Sequence, residues 1–434
     1  MSEIIPTNSG DIAWVMVATA LVMIMTPALG FFYGGLVRKK NLVSTIVQCV
    51  AIFAVISIIW ALWGYSIVFG TSFNGVIGFS PNLLALSGVD INHVTPALAP
   101  TVPTLLYFAF QLKFAAITPA LIIGACAERI RFRSLLIFIV LWSTLIYMPI
   151  AHWVWNPEGW LRGLGAIDFA GGIVVHISAG LSALAAALVV GRRKGCTTPW
   201  REHMRTLDKK ASEEFKPTNI PYVLLGAAIL WFGWFGFNAG SALAANNLAV
   251  SALVTTNLSA AGAAVSWMLT DWAIKGKPSA VGIAIGAVVG LVAITPAAGY
   301  VSVSSAIIIG LAAGVISNIV ANWRAGRSRI DDTLDVFACH GVGGLWGSIA
   351  TGLFASAAIS ATAGVTGVNG LFFGNPGLLV AQLLAIAVVA PFAFFGSYLL
   401  LKLVNAFSPL RVSPKAEDAG LDLSEHGEEA YQLE

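Results

Sequence analysis

The sequence predicts an all-α protein that crosses a membrane many times. Hydrophobic residues make up 57% of its 434 residues and charged residues only 10%, whereas a soluble domain carries about 25% charged residues. Apolar runs of the roughly 20 residues needed to cross the hydrocarbon core recur along the chain. The alternating short-strand pattern of an outer-membrane barrel is not found in the sequence, so helices are the predicted spanning elements.

Apolar runs predict eleven transmembrane helices. The segment before the first run, MSEIIPTNSGD, has no Lys or Arg, whereas a cleavable signal peptide begins with positive charge. The first run is therefore expected to remain in the protein as a span. The runs at 170–190 and 338–358 are rich in Gly and Ala and have the weakest hydrophobic signal. The predicted spans cover residues 12–33, 42–70, 103–127, 134–153, 170–190, 221–238, 251–274, 279–297, 303–323, 338–358 and 378–407.

The distribution of Lys and Arg predicts the orientation of these spans, since cytoplasmic loops are enriched in both residues. The turns after spans 1, 3, 5, 7 and 9, together with the C-terminal end, hold 22 of the 24 basic residues, and only Lys113 and Arg162 lie elsewhere. The N-terminus is therefore expected outside and the C-terminus inside, which requires an odd number of spans. Residues 1–408 are predicted to form the membrane domain and residues 409–434 an acidic cytoplasmic tail.

Two pairs of similar segments predict that the first ten spans form inverted repeats of five helices. GFFYGGLV (30–37) in span 1 resembles GWFGFNAGSA (233–242) in span 6. DFAGGIVVH (168–176), which leads into span 5, resembles DVFACHG (335–341), which leads into span 10. Because five is odd, spans 1–5 and 6–10 would have opposite orientations, and span 11 is a final long helix. Transporters built in this way bind their substrate near the midplane, where the repeats meet.

Two histidines, His176 and His340, lie deep in apolar, glycine-rich spans. Ionisable groups inside membrane spans are costly and typically mark a transport pathway or a proton relay. A single such histidine is more often a packed residue that hydrogen-bonds the backbone or a hydroxyl. Two histidines in corresponding halves, both flanked by small residues that permit close approach, favour a functional pair. Neutral imidazoles can both donate and accept hydrogen bonds, so the pair could pass a proton or replace the hydration of a small polar solute.

Carboxylates precede both histidines. Asp168 lies eight residues before His176, about two helical turns. It is expected to cap the helix N-terminus, and a cation-attracting role at the outer mouth is compatible with that position. Asp335, with Asp331 and Asp332 close by, precedes span 10 in a similar way, and a cap or loop role is expected there.

Aromatic residues share one face of span 3. A spacing of three and four joins Tyr107, Phe110, Gln111, Phe114 and Thr118. Such a stripe is usually packing, and the tryptophans 153, 155 and 160 at the outer end of span 4 are typical of an interface belt. Attraction of a desolvated cation to these aromatic faces is the functional alternative.

At these motifs the chain resembles the ammonium transporters of the Amt/Mep/Rh superfamily, and within it the bacterial Amt branch. The resemblance extends from end to end of the chain, and its most specific strings are DFAGG-x-VVH and GWFGFNAGS. The matching strings are FFYGGLVRKKN (31–41), FAAITPALIIGACAERIRF (114–132), PIAHWVW (149–155), GAIDFAGGIVVHISAG (165–180), GWFGFNAGSA (233–242), ITPAAGY (294–300), DDTLDVFACHGVGG (331–344) and GLDLSEHGEEAY (420–431).

The resemblance implies a role for each matched residue. An external recruitment site for ammonium is implied at Phe110, Phe114, Trp155 and Ser241. Gating or pore-lining roles are implied for Phe114, Phe237, Trp234, His176 and His340. An electrostatic role beneath the mouth is implied for Asp168. The resemblance also implies a homotrimer in the cytoplasmic (inner) membrane with one pore per subunit, no enzymatic activity, no cofactor, and a cytoplasmic face that can bind a PII-type regulator.

The implied function is selective ammonium transport, with methylammonium as a substrate analogue. Ammonium offers N–H donors that Ser241 and neutral imidazoles can accept, whereas potassium has none, and a site built to hydrogen-bond its substrate rejects an analogue without those groups. An apolar pore makes a bare charge expensive, which favours deprotonation. The sequence leaves open whether the proton crosses separately or stays behind.

Three other functions fit parts of the sequence. An ammonium sensor that signals through its cytoplasmic face and conducts little would use the same binding residues. A membrane enzyme with a metal site is disfavoured because no H-x-x-x-H or carboxylate–histidine ligand spacing occurs on a helix. A gas channel for ammonia or carbon dioxide, as in the Rh branch, is disfavoured by the outer aromatic and Ser241 motif. The basic residues are not clustered in one domain, so no nucleic-acid partner is expected.

Overall fold

Apolar runs of this length fold as helices because backbone N–H and C=O groups find no other partners in lipid. The computed structural model describes residues 7–196, 216–361 and 367–431. In chain order its main helices are α1 Ser9–Leu36, α2 Lys39–Phe69, α3 Thr104–Cys126, α4 Phe132–Gly163, α5 Gly172–Val190, α6 Ile220–Gly240, α7 Asn247–Lys275, α8 Ala280–Ile294, α9 Val303–Arg327, α10 337–354 and α11 Pro376–Phe407. Within the described residues, nine of them, all but α8 and α10, are long and apolar enough to cross a membrane.

The helices α8 and α10 correspond to the predicted spans 279–297 and 338–358. α8 has 15 residues and ends shortly before Pro296, which lacks an N–H donor. α10 ends at Phe354 because Ser356 N donates to Tyr300 O (2.8 Å) rather than to its own helix. The fold is therefore a helical membrane bundle, while the count of eleven spans and their orientation stay predictions.

Small residues let the two halves of the chain pack closely. α1 lies along α6, and a Cβ added at Gly226 of α6 would overlap Phe32 N of α1. A Cβ at Gly233 would overlap the Met25 side chain. Close approach through small residues is the usual way in which helices associate in membranes. This contact joins the first helices of the two predicted repeats.

A short antiparallel hairpin lies beyond the C-terminal end of α2, where Ser72–Phe73 pairs with Ile77–Gly78. His152 of α4 fixes the hairpin, since its Nδ1 lies 2.7 Å from Val68 O and its Nε2 lies 2.8 Å from Ser72 Oγ. A carbonyl oxygen only accepts, so Nδ1 carries the proton and Nε2 accepts from the hydroxyl. Further short helical turns are Pro81–Leu86, Ala357–Ser360, Leu371–Phe373, Pro414–Ala419 and Asp422–His426.

The C-terminal tail packs at the opposite end of α2, on a surface that we call the tail face. Asp422 accepts hydrogen bonds from Val43 N (3.1 Å) and Ser44 N (2.7 Å) at the start of α2. Glu425 accepts one from Phe132 N (2.9 Å) at the start of α4. Carboxylates at helix N-termini offset the positive end of the helix dipole. Residues 197–215 of the long loop predicted at 191–220, and residues 432–434, lie outside the described residues.

Basic residues from separate turns also gather at the tail face. Arg38, after α1, pairs with Glu128 through Nε and Oε2 (2.8 Å). Arg193, after α5, pairs with Asp331 (2.9 Å). Glu128 is only 1% exposed, so this network is buried beneath the tail. The turns after spans 1, 3, 5 and 9, which the sequence predicts to be cytoplasmic, thus lie on one face, and it is the face that carries the tail.

Candidate functional site

His176 and His340 meet in the centre of the bundle. Their Nδ1 atoms lie 3.2 Å apart, and the two rings are stacked at a centroid distance of 5.3 Å. The side chains are buried, with 1% and 3% of each residue exposed. In a neutral pair one Nδ1 donates and the other accepts, which leaves one outward Nε2 bare and the other protonated. The pair can therefore accept a hydrogen bond at one end and donate one at the other.

The chain brings the two histidines together through matched local structures. His176 lies in a π-helical turn, Gly172–Ile177, at the start of α5, and His340 lies in a π-helical turn, Phe337–Val342, at the start of α10. Turns of this kind are rare and frequently occur at functional sites. A Cβ added at Gly180 would overlap the backbone of Gly341, so glycines permit the contact between the two helices.

An aspartate caps each of these helices. Asp168 accepts four backbone hydrogen bonds of 2.7–3.0 Å, from Gly171, Gly172, Ile173 and Val174. Asp332 accepts two, of 3.1 and 2.8 Å, from Val336 and Phe337. Asp335 instead pairs with Arg324 (2.7 Å). The cap of α10 is therefore Asp332, which lies eight residues before His340, the same spacing as from Asp168 to His176.

A narrow apolar lumen contains the histidine pair. It leaves about 10 Å³ for the centre of a water molecule, which is at the lower limit for holding one water. Trp234 stacks on His176 at 5.4 Å and is held by a hydrogen bond from its Nε1 to Thr295 Oγ1 (2.8 Å). Among the described residues, His176 Nε2 has no hydrogen-bond partner. The residues that line the lumen are Met25, Leu29, Ile117, Leu121, Val175, His176, Leu230, Trp234, Phe237, Val288 and His340.

Two phenylalanine rings separate this lumen from a larger cavity. Phe114 and Phe237 pack against each other with a centroid distance of 4.2 Å and an angle of 39° between the rings, and each is 1% exposed. Phe237 also lines the lumen and lies 6.2 Å from the His176 ring. Phe114 faces the other way, onto the larger cavity. The ring pair therefore closes the passage between the two spaces.

The larger cavity, which we call the vestibule, has a volume of about 340 Å³. Phe110, Phe114, Trp155 and Ser241, the four residues of the predicted recruitment site, all line it, and so does Asp168. Trp155 lies edge-on to Phe114 at 5.7 Å, and its Nε1 donates to Asp168 O (3.1 Å). Ser241 Oγ donates to Phe237 O (2.8 Å), which leaves its lone pairs to accept from a ligand.

The sequence assigned no site role to two residues that contribute to this site, and it gave a third, Asp332, only a cap or loop role shared with Asp331 and Asp335. Asp332 caps α10, and the equal spacing of aspartate and histidine in the two halves could have revealed it. Thr295 holds Trp234, and Arg162 lines the vestibule. Neither of these two contacts leaves a signal in local sequence, because each joins segments far apart in the chain or across a turn. Among the described residues, no three His, Cys, Asp or Glu side chains are grouped as metal ligands would be.

Comparisons with known proteins agree with one another over nearly the whole chain. The family model described as Ammonium Transporter Family matches residues 13–431. Ammonium transporter Amt1 of Archaeoglobus fulgidus is 46% identical over 98% of this chain and 100% of that protein. The ammonium transporter of Bacillus subtilis is 43% identical over 98% of both chains. The crystal structure of Candida albicans Mep2, at 34% identity, superposes with a TM-score of 0.85 over 94% of this chain and 87% of that chain.

Proposed function

This chain belongs to the ammonium transporter family, and from its vestibule and lumen we propose that it carries ammonium selectively across the cytoplasmic membrane. One observation carries the proposal: an aromatic vestibule leads through a closed ring pair to an apolar lumen that holds two facing imidazoles. Each part suits one step of moving a small cation that can lose a proton.

Recruitment is the first step. Ammonium entering the vestibule meets the faces of Trp155 and Phe110, which attract cations. The Ser241 hydroxyl, whose proton is committed to Phe237 O, accepts one N–H of the ligand. Potassium gains the aromatic attraction but has no hydrogen to donate, so the hydroxyl favours ammonium.

Deprotonation follows because the lumen is apolar. A bare ammonium ion there would lose its hydration without a charged partner, at a cost far above that of neutral ammonia. The Phe114 and Phe237 rings keep water out of the lumen until they move apart. Water in the vestibule takes up the proton, and ammonia then passes His176 and His340, whose outward nitrogens supply one acceptor and one donor. We propose that these residues form the pore and that Asp168 holds the His176 helix while adding negative potential at the mouth.

We also propose eleven spans with the tail face in the cytoplasm. The clustering of basic turns at that face supports this orientation. The family resemblance supports a homotrimer with one pore per subunit and a PII-type regulator that binds at the tail face.

The test replaces both pore histidines by leucine in purified protein reconstituted into liposomes. Labelled methylammonium uptake, and currents on solid-supported membranes with ammonium, methylammonium and potassium, measure conduction, selectivity and the charge moved per substrate. We expect His176→Leu/His340→Leu to lose selective conduction, because no group in the lumen can then accept or donate. His93→Leu, outside the lumen, is the matched control. Unchanged ammonium uptake with potassium still excluded would reject the role of the pair, and a wild type that binds ammonium without conducting it would favour a sensor.

A further inference from the structure

One basic side chain lies at a vestibule otherwise suited to attract cations. Arg162 lies in the last turn of α4, Trp160–Gly163, which follows a break after Trp155. It is exposed, and it lines the vestibule together with Trp155 and Ser241. Its Nη1 donates to Trp155 O at 2.9 Å. A permanent positive charge is thus hydrogen-bonded to Trp155, one of the residues proposed to receive the cation.

Among the described residues of the vestibule lining, the charge of Arg162 is opposed by the Asp168 carboxylate but not by a direct ion pair. Among the described residues that line the vestibule, Asp168 is the only carboxylate, and its two oxygens are committed to four backbone N–H groups. Arg162 forms no ion pair with any described carboxylate. Its field reaches across the cavity to Tyr300: burial and, next, the charge of Asp168 raise the pKa of that phenol to about 12, while Arg162 acts to lower it.

Aromatic faces alone discriminate poorly between cations. Attraction to the ring quadrupole grows with the charge of the ion, so a dication would compete for the same vestibule. A fixed positive charge has the opposite effect, because Coulomb repulsion also scales with the charge of the ion. If Arg162 weakens the binding of a monovalent cation by some factor, it weakens that of a dication by the square of that factor.

We propose that Arg162 is a charge filter that favours monovalent over multivalent cations in the outer vestibule. The inference rests on the proposed function, since it assumes that cations enter by this route. For an ion about 8–10 Å from the guanidinium, at an effective dielectric of about 45–80, the weakening is about two- to fivefold for a monovalent cation. The square of this factor is about four- to twenty-five-fold for a dication. Salt should reduce both effects.

The alternative is that Arg162 has a purely structural role. Its hydrogen bond to Trp155 O satisfies a carbonyl that would otherwise lack a partner where α4 breaks after Trp155. Two variants separate the alternatives. Arg162→Gln keeps an N–H donor and removes the charge, whereas Arg162→Lys keeps the charge and removes the guanidinium geometry. If Arg162 acts through its charge, Arg162→Lys should behave like wild type, whereas if it acts as a helix cap, Arg162→Gln should.

The experiment measures methylammonium uptake into proteoliposomes and its inhibition by putrescine, a diammonium dication, at an ionic strength of about 0.01 M, where the Debye length is about 30 Å. For Arg162→Gln we expect the half-saturating methylammonium concentration to fall about two- to fivefold and the putrescine inhibition constant to fall by a larger factor, at most about its square, because the second ammonium of putrescine lies at a different distance from Arg162. Arg162→Lys should stay close to wild type.

Salt provides a second test. Raising the ionic strength to about 1 M, where the Debye length is about 3 Å, should remove most of the difference between wild type and Arg162→Gln in both constants, because it screens the charge that distinguishes the two proteins. The inference is overturned if salt leaves that difference unchanged, if Arg162→Gln matches wild type, or if Arg162→Lys behaves as Arg162→Gln does. A wild type that takes up no methylammonium would instead overturn the proposed function.

Discussion

Replacing Asp168 by asparagine tests whether one carboxylate holds the His176 helix in place. Oδ1 of Asp168 accepts the first two N–H groups of the turn and Oδ2 the next two, those of Gly171, Gly172, Ile173 and Val174. Asparagine retains one oxygen, and its amide nitrogen would face two backbone donors. Two charge-assisted hydrogen bonds are therefore lost in a residue that is only 7% exposed.

The magnitude follows from the number of lost bonds. Hydrogen bonds to charged groups contribute about 1.5–3 kcal/mol each, so Asp168→Asn should cost about 3–6 kcal/mol. This is an upper limit because the turn can relax. Asp332→Asn is a matched comparison in the other half of the chain. Its two oxygens accept one backbone bond each, so it should lose one bond and about half as much stability.

Thermal unfolding of the purified protein and methylammonium uptake by proteoliposomes are the assays. We expect both variants to unfold at lower temperature than wild type, with Asp168→Asn affected more. Uptake should fall with Asp168→Asn because His176 is no longer held against His340. Wild-type unfolding and uptake in Asp168→Asn would refute the capping argument, and a larger loss in Asp332→Asn would refute the reasoning by bond count.

Three more outcomes are expected. Gly180→Ala should cost about 1–3 kcal/mol and slow uptake, because its Cβ would overlap Gly341; normal uptake would show that the helices can separate without harm. Ser241→Ala should raise the half-saturating ammonium concentration and leave the maximal rate unchanged, and an unaltered concentration dependence would exclude a contact with the substrate. Burial alone would raise the pKa of Asp331, but Arg193 holds it below the usual 3.8. The ionised carboxylate therefore stabilises the fold above that pH, and this stability, which Asp331→Asn removes, is lost as pH falls. A difference in unfolding temperature between wild type and variant that persists in acid would contradict this.

The helices could be predicted because a single physical requirement determines them. A backbone in lipid must satisfy its own hydrogen bonds over the thickness of the membrane, so the apolar runs alone locate α1 through α7, α9 and α11. The ends were less predictable, because they depend on tertiary contacts. α10 stops four residues before the predicted 358, and the cause is a hydrogen bond between Ser356 and Tyr300, two residues far apart in sequence.

The site shows a similar limit. The two histidines were singled out because ionisable groups are conspicuous in an apolar chain, whereas the recruitment residues of the vestibule were expected only from the family resemblance. The capping residue of α10 was less certain, since three aspartates precede it. Asp335 has φ 55°, a left-handed backbone conformation, and its side chain pairs with Arg324. That geometry leaves the cap to Asp332, which among the three aspartates has the same spacing from its histidine as Asp168 has from His176.

Because the two rings are joined by a hydrogen bond between their Nδ1 atoms, the passage of one proton reverses the tautomers of both histidines. If a proton arrives at the bare outer nitrogen of one ring, the bridging proton can move to the other ring, whose own outer proton then leaves. Both rings have then changed tautomer, and the outer nitrogen that received the proton is now protonated. It cannot accept a second proton from the same side until the rings rotate or a proton moves back through the pair. The pair therefore passes one proton at a time, and a sustained proton current along it would be limited by the rate at which the two rings return to their starting tautomers.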